Sequence, residues 1–286
     1  MNINFNKYMP ANNLSRFIQS YFVISTGIYC KKQTDIQTTP NSNQFLKNHP
    51  QGSVDLMFTL RGEGVNIITA DNQNNQFNDI FILAQQEGKF EIKFAEDLFI
   101  VGVVFYGESF KKLFNFPLQE ISNSGLRVSD DLNDSYDEVH YKLQQSITDY
   151  EIVTTLNSFF TDQLTHLDFS FTKFDQLIQH IRLTNGQLQI DQISQLSNLS
   201  SRTLQRKMKE LIGVSPKSYS SIMRFKQVMN MLSTNTTTNW QDILFNCGYY
   251  DQAHFIKDFK KYTGHTPNSF LNNDSSLSYF FASQNN

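Results

Sequence analysis

Residues 200–209 have the sequence Ser-Ser-Arg-Thr-Leu-Gln-Arg-Lys-Met-Lys, and residues 251–260 have the sequence Asp-Gln-Ala-His-Phe-Ile-Lys-Asp-Phe-Lys. Each stretch is followed by a glycine and then by Ser-Pro or Thr-Pro, at residues 213–216 and 264–267. The two copies keep an offset of 51 residues at all of these positions. Such an internal repeat predicts that one structural unit occurs twice in the chain.

Each copy has the pattern of a helix, a tight turn and a second helix. Asn198 and Gly248 tolerate the left-handed backbone of a tight turn, and Ser200 and Asp251 are favourable N-caps for the second helix. Apolar residues at helical spacing predict its buried stripe: Leu204, Met208 and Leu211 in one copy, and Phe255, Phe259 and Tyr262 in the other. Mostly polar and basic residues fill the opposite face: Arg202, Gln205, Arg206 and Lys209, then Gln252, Ile256, Lys257 and Lys260. In helix-turn-helix proteins, a second helix of this kind enters the major groove of DNA.

The two units are predicted at about residues 188–215 and 239–266, joined by one long helix at residues 216–232. A further helix is predicted at residues 174–182, before the first unit. The Asn- and Ser-rich tail at residues 272–286 has no predicted role.

Charge is distributed unevenly along the 286 residues. Residues 1–169 contain 12 Lys and Arg against 20 Asp and Glu, whereas residues 170–286 contain 12 against 7, which gives net charges of −8 and +5. The asymmetry predicts an acidic N-terminal domain and a phosphate-binding C-terminal domain. No apolar run approaches the roughly 18 residues of a membrane span, and Cys30 and Cys247 are too few for a disulfide framework. We therefore expect a cytoplasmic protein without a membrane partner.

The N-terminal domain has the alternating pattern and turn residues of antiparallel β structure. Strands are predicted from runs of β-branched and aromatic residues at 54–60, 65–68, 80–83, 90–94 and 98–105, with an exposed hairpin tip at 71–78. Helices are predicted at 109–114 and within 137–167, where they either cover the sheet or form a dimer seam. The predicted fold class is α+β: an antiparallel sandwich or barrel with trailing helices, then an all-α domain of two helix-turn-helix units.

Over about residues 172–271 the chain resembles the AraC/XylS family of transcription regulators. The likeness is carried by Leu204-Gln205-Arg206, Gly213-Val214-Ser215-Pro216, Arg224, Ile243, Gly248-Tyr249, His254-Phe255, Phe259-Lys260-Lys261 and Gly264-His265-Thr266-Pro267. The resemblance implies a seven-helix domain that inserts two helices into successive major-groove segments on one face of DNA. Residues 50–58 and 101–105 resemble the sandwich-like sensory domains attached to some members of this family.

The chain departs from the family pattern at Ser194, where alanine is usual, and at Asn198, where glycine is common. The acidic Asp258 lies beside the predicted DNA-binding face of the second unit. Because a carboxylate repels phosphate, the second helix of the first unit is the better candidate for base contacts.

Arg206 and Lys257 occupy matching positions in the two units. Arg206 is suited to a bidentate contact with guanine, and Lys257 to a base edge or a phosphate. Ile256 is suited to a thymine methyl, and the lysines are suited to phosphates or to solvent. Arg224 is interpreted either as a phosphate contact or as one half of an ion pair between the units.

Five phenylalanines of the β region either line a ligand cavity or form an ordinary core: Phe81, Phe90, Phe94, Phe99 and Phe105. No pair of histidines has zinc-ligand spacing, and neither a phosphate-binding glycine loop nor a nucleophile elbow is present in the sequence. We therefore predict no cofactor, no metal and no enzymatic activity. His254 is predicted to be a packing or capping residue at the turn, and Cys247 a small packing residue.

The most consistent function is a sequence-specific transcription regulator whose partner is double-stranded DNA. Its N-terminal domain is predicted to bind a small-molecule effector or to form a homodimer, and RNA polymerase is a further partner if the protein activates transcription. The alternatives are a sensor whose ligand state is the main activity, and a regulator that needs no ligand.

Overall fold

The computed structural model describes residues 3–29, 45–69, 71–128, 135–165, 170–234 and 239–272. Cys30 and the tail after residue 272 lie outside these ranges. Within them an antiparallel sheet domain is followed by a helical domain, which confirms the predicted fold class. Of the helices in these ranges, not one has both the length and the apolar character needed to cross a bilayer.

The strands of the described ranges are β1 (Ile3–Tyr8), β2 (Ile18–Thr26), β3 (Phe45–Asn48), β4 (Ser53–Arg61), β5 (Val65–Ile68), β6 (Asn74–Phe77), β7 (Ile80–Leu83), β8 (Phe90–Phe94), β9 (Phe99–Tyr106) and β10 (Gly125–Arg127). They form a larger sheet of order β1-β2-β9-β4-β7-β10 and a smaller sheet of order β3-β8-β5-β6. The strand pairs described are antiparallel. Side chains of both sheets meet in one buried cluster, such as Met57 from the larger sheet and Ile67 and Ile92 from the smaller. The two sheets therefore pack face to face as a sandwich.

The segment at residues 71–78, predicted as an exposed hairpin tip, is partly a strand. β6 lies within it and pairs with β5. The turn is closed by a 3.0 Å hydrogen bond from Asn72 N to Thr69 O, and Asn72 has a φ of 62°. Asparagine tolerates this left-handed backbone, so the Asn-rich composition correctly predicts a turn. The hydrogen bonds between β5 and β6 make the following residues a strand, which the composition does not predict.

The other face of the larger sheet is covered by α1 (Gly107–Phe114), α2 (Ser135–Gln145) and α3 (Asp149–Thr165). Phe110, Leu143 and Phe160 on these helices are fully buried in one cluster with Leu56 and Phe105 of the sheet. Of the two roles predicted for residues 137–167, covering the sheet is the one observed.

The helical domain consists, within residues 170–234 and 239–272, of α4 (Lys173–Leu183), α5 (Ile190–Ser197), α6 (Ser201–Ile212), α7 (Pro216–Thr234), α8 (Trp240–Asn246), α9 (Gln252–Thr263) and α10 (Pro267–Asn272). These seven helices share one buried cluster. Tyr219, Phe225 and Val228 on α7 lie in the cluster together with Leu204 of α6 and Phe255 of α9. The long α7 therefore joins both helix-turn-helix units through a common core.

Local sequence chemistry sets the boundaries of α6 and α9. Ser200 and Asp251 cap the two helices by accepting the amide hydrogens of Thr203 and His254, at 3.3 and 2.7 Å. The turn before each cap has a left-handed residue, Asn198 with φ 51° and Gly248 with φ 70°. Gly213 and Gly264 end the helices, also in the left-handed conformation. The predicted caps and turns are confirmed at each of these positions.

Candidate nucleic-acid interface

The second helices of the two units, α6 and α9, are here termed the reader helices. On α6, the predicted DNA-facing side chains of Arg202, Gln205, Arg206 and Lys209 are all exposed. The opposite stripe of Leu204, Met208 and Ile212 is buried, whereas the predicted Leu211 is only half-buried at its margin. The first reader helix thus has one apolar face in the core and one cationic face in solvent.

On α9 the exposed side chains are Gln252, Lys257 and Lys260. Ile256 is half-buried and lines a groove of about 440 Å³ between α8, α9 and α10. The walls of the groove include Trp240, Phe255 and Pro267. Ile256 therefore belongs partly to the edge of the core, and less of its surface faces solvent than the sequence predicts.

Asp258 does not lie on the exposed face of α9, contrary to the expectation from the sequence. Its side chain is buried and accepts a hydrogen bond of 2.6 Å from the Ser221 hydroxyl on α7. Tyr262 donates to the same hydroxyl at 2.8 Å, and the His254 ring lies 3.7 Å from the carboxylate. The carboxylate therefore ties α9 to α7, and the reason for favouring the first unit over the second disappears.

The acidic residues of the two reader helices, Glu210 and Asp258, both have partners in other elements of the fold. Glu210 is the single acidic residue of α6, and its carboxylate lies 2.5 Å from the Lys111 ammonium of α1. The hydrogen bond from Lys111 lowers the pKa of Glu210. Asp258 is the single acidic residue of α9 and is buried. The Lys111 ammonium offsets the charge of Glu210, and Asp258 is buried, so cationic groups predominate on both exposed faces, as a phosphate backbone requires.

Of the two roles predicted for Arg224, the ion pair between the units is not observed among the described residues, and the phosphate contact stays a prediction. It is half-buried on α7 and donates a 2.7 Å hydrogen bond to the Gly186 carbonyl, in the turn between α4 and α5. Its guanidinium lies 5.7 Å from the centre of the Tyr249 ring in the second unit. Arg224 therefore joins the two units through a carbonyl and an aromatic ring instead of a carboxylate.

His254 and Cys247 pack as predicted. The His254 ring makes an edge contact of 5.3 Å with Tyr249. Cys247 is fully buried, and burial raises the pKa of its thiol to about 12, which keeps it protonated and unreactive. No group of His, Cys, Asp and Glu in the described part of the chain is placed to hold a metal ion.

The five phenylalanines proposed to line a ligand cavity are not brought together. Phe81, Phe90 and Phe94 lie in the cluster between the sheets, whereas Phe105 lies on the opposite face of the larger sheet, beneath the helices. Phe99 is half-buried, with its ring 6.3 Å from Tyr29. Successive strand residues point to opposite faces, so all five cannot line one cavity.

Sequence reasoning missed the structural role of Asp258, although a signal was present. Asp258 follows Phe255 by three residues and precedes Tyr262 by four, so it lies on the buried stripe of α9. A carboxylate at such a position predicts a buried hydrogen-bond partner. The partner itself, Ser221 on α7, has no signal in the sequence.

Residues 193–273 match the family model of a helix-turn-helix domain, and this range contains both reader helices. The C-terminal domain is an AraC-type helix-turn-helix domain. Residues 6–127, before the AraC-type domain, match a family model described as a domain of unknown function (DUF6597). No curated protein matches the chain in a sequence comparison.

Solved structures similar to the chain include ToxT from Vibrio cholerae, at 12% identity and a TM-score of 0.45, covering 95% of this chain and 98% of ToxT. ToxT with a bound unsaturated fatty acid has 10% identity and a TM-score of 0.40, covering 82% and 97%. The AraC-like transcriptional activator CuxR has 9% identity and a TM-score of 0.29, covering 98% and 91%.

Proposed function

We propose that the protein is a sequence-specific transcription regulator that binds double-stranded DNA through α6 and α9 in two neighbouring segments of the major groove. The observation that carries the proposal is the pair of capped reader helices, each with an exposed cationic face and with its acidic residue held by a partner in another element. We also propose a division of the chain at about residues 169 and 170. The separate clusters of the sheet domain and the helical domain support this division.

In this proposal Arg206 and Lys257 contact base edges, because they are exposed at matching positions of the two reader helices. Gln205 and Gln252 are suited to adenine edges. Phosphate contacts are assigned to the remaining exposed cations, which supply affinity without sequence information: Arg202, Lys209 and Lys260.

The test is to select bound fragments from a random DNA library and to measure the affinity of variants for the selected site. Arg206→Ala is expected to weaken binding by about 1–3 kcal/mol and to relax sequence preference at one position. Lys142→Ala is the matched control, because Lys142 is an exposed cation on α2, far along the chain from the reader helices. Equal binding by wild type and Arg206→Ala would contradict the assignment of this residue.

We propose in addition that an anionic small molecule modulates the protein at the edge of the sandwich that meets α7. Phe5 of β1 and Met57 of β4 lie in the inter-sheet cluster. Lys7 and Asp55 are each two residues from one of them on the same strand, so they lie on the same face of the larger sheet. Lys226 of α7 reaches this edge and donates to the Gln51 carbonyl at 3.3 Å.

The electrostatics of this edge favour an anion. Burial, together with the nearby positive charges of Lys7 and Arg182, lowers the pKa of Lys226 to about 8. Burial also raises the pKa of Asp55 to about 6, and its Oδ1 atom has no hydrogen-bond partner among the described residues. A ligand anion would compensate the buried ammonium of Lys226.

Native mass spectrometry of the full chain purified from cell extract tests this second proposal. We expect a bound acidic species that Lys226→Met loses and Lys142→Met keeps. A wild-type protein with no bound species, and with unchanged DNA affinity when extract metabolites are added, would refute it. Homodimer formation and contact with RNA polymerase stay predictions.

A further inference from the structure

The short helix α1 has one face in the N-terminal core and one face against the helical domain. On the core side, the Phe110 and Phe114 rings stack at 4.2 Å, and both make edge contacts of 5.8 Å with Phe105. On the other side, α1 carries the charged residues Glu108, Lys111 and Lys112. All three of these side chains pair with residues of the helical domain.

Two of the ion pairs fix α1 to α4. Glu108 pairs with Arg182 at 2.8 Å, and Lys112 pairs with Asp175 at 2.5 Å. The carboxylates of Glu108 and Asp175 are 2% and 1% exposed, so removal of either partner cation would leave a buried charge uncompensated. This part of the contact is therefore a firm anchor.

The third ion pair and one hydrogen bond reach the first reader helix. Lys111 pairs with Glu210 near the end of α6, and the Ser122 hydroxyl donates to the Gly213 carbonyl at 2.8 Å. Gly107 packs so closely on α6 that an added Cβ would lie 3.1 Å from the Ile212 side chain. These contacts hold the C-terminal end of α6, while Arg202 near its start and Arg206 in its middle stay exposed.

The second reader helix is held at the corresponding end. The amide of Lys89, in the loop between β7 and β8, donates to the Lys261 carbonyl of α9 at 3.1 Å. The Lys89 side chain also lies against Gly264, which ends α9. The N-terminal domain therefore contacts the C-terminal ends of both reader helices without covering their exposed cationic residues.

We propose that the N-terminal domain fixes the distance between the two DNA segments that the reader helices accept, and that Lys111 and Ser122 are its positioning residues for α6. This inference rests on the proposed DNA-binding function. Since α1 also packs on Phe105, a change in the N-terminal core moves the first reader helix relative to the second. Regulation then acts on the spacing of the two readers and leaves their DNA-facing side chains uncovered.

The test measures affinity for a series of DNA sites in which the two selected segments are moved apart or together by one base pair. In wild type, we expect a change of one base pair to reduce affinity about 10-fold or more. In Lys111→Met/Ser122→Ala, the same change of spacing is expected to reduce affinity by only about 2- to 3-fold, because the contacts that hold α6 in place are lost. Mutations that alter the coupling between two sites change affinity by about 2- to 30-fold. The spacing profile of each variant gives its affinity for an altered site divided by its affinity for the selected site. The uniform effect of a lost charge on DNA binding therefore cancels.

The matched control is Lys142→Met/Ser146→Ala, which removes an exposed lysine of α2 and the serine hydroxyl just after the end of α2, away from the interface. Its spacing profile is expected to equal that of wild type. Lys111→Glu/Glu210→Lys restores the ion pair with reversed charges and is expected to show the wild-type spacing profile. Lys111→Glu alone is expected to show the weakened spacing preference of the interface variant.

An unchanged profile in Lys111→Met/Ser122→Ala would overturn this proposal and leave the DNA-binding function intact. A wild-type protein that prefers no DNA sequence would overturn both. Hydrogen exchange without DNA gives an independent readout: the C-terminal amides of α6 should exchange faster in the interface variant and not in the α2 control. Equal exchange in both variants would also refute the positioning role.

Discussion

Replacement of Arg224 by alanine separates a structural role from a DNA-contacting role for this side chain. A phosphate contact would need an exposed guanidinium, but Arg224 is half-buried between the two units. Its Nη1 donates to the Gly186 carbonyl at 2.7 Å, and its charge lies over the Tyr249 ring at 5.7 Å. We therefore expect Arg224→Ala to lower the free energy of unfolding and to leave the preferred DNA sequence unchanged.

The size of the loss follows from these contacts. A hydrogen bond from a charged donor contributes about 1.5–3 kcal/mol, and a cation over an aromatic ring contributes about 0.5–2 kcal/mol. The Nε atom of Arg224 is buried with no hydrogen-bond partner among the described residues, and its desolvation opposes these gains by about 1–3 kcal/mol. The expected net loss is about 2 kcal/mol.

Urea unfolding followed by tryptophan fluorescence measures this loss directly. Trp240 is the single tryptophan of the chain, and its ring lies 5.7 Å from both Phe255 and Phe259 in the core of the second unit. The midpoint is expected to fall for Arg224→Ala and to stay unchanged for Arg206→Ala, because Arg206 is exposed.

DNA binding at a temperature where both variants are folded gives the complementary result. A lost phosphate contact reduces the slope of log affinity against log salt by about 1. We expect no such reduction for Arg224→Ala. An unchanged urea midpoint together with a smaller salt slope would refute the structural role of Arg224.

Three further predictions concern single positions. Gly186→Ala is expected to destabilise the helical domain by at least about 1–2 kcal/mol in urea unfolding, because Gly186 has φ 69° and an added Cβ would lie 2.1 Å from the Ser220 carbonyl. Asp258→Ala is expected to cost about 1–3 kcal/mol by removing the acceptor of the buried Ser221 hydroxyl, without changing the sequence selected from a DNA library. Burial raises the pKa of Asp55 from 3.8 to about 6, so between these pH values the folded state keeps a proton that the unfolded state releases. The free energy of unfolding of wild type should therefore decrease as the pH rises from about 4 to about 6. This part of the pH dependence should be absent in Asp55→Asn.

The elements that were predicted correctly depend on neighbours in the chain. Ser200 and Asp251 accept amide hydrogens only three residues away, and Asn198 and Gly248 adopt turns fixed by their own backbone preferences. The predicted linking helix at residues 216–232 ends at Thr234 in the structure. Agreement is close because the interactions that begin and end a helix span only a few residues.

The roles of Arg224 and Asp258 were not predictable in the same way. Each side chain is charged, and in the sequence each fits an exposed surface near DNA. In the fold, Arg224 meets a carbonyl 38 residues away and Asp258 meets a hydroxyl 37 residues away. A charged residue is buried only where such a distant partner offsets its desolvation, and no local pattern specifies that partner.

The sequence by itself determined that one helix-turn-helix unit occurs twice, where its helices begin and end, and which side chains of α6 and α9 are apolar, because helical spacing and capping are local properties. Only the tertiary structure decided which charges face solvent, that the acidic residues of both reader helices have partners in other elements, and that α1 joins the N-terminal core to α6. Glu210 and Lys111 are 99 residues apart in the chain. Their contact exists because two hydrophobic cores bring α1 and α6 together, and packing between such distant segments is not encoded in any short stretch of sequence.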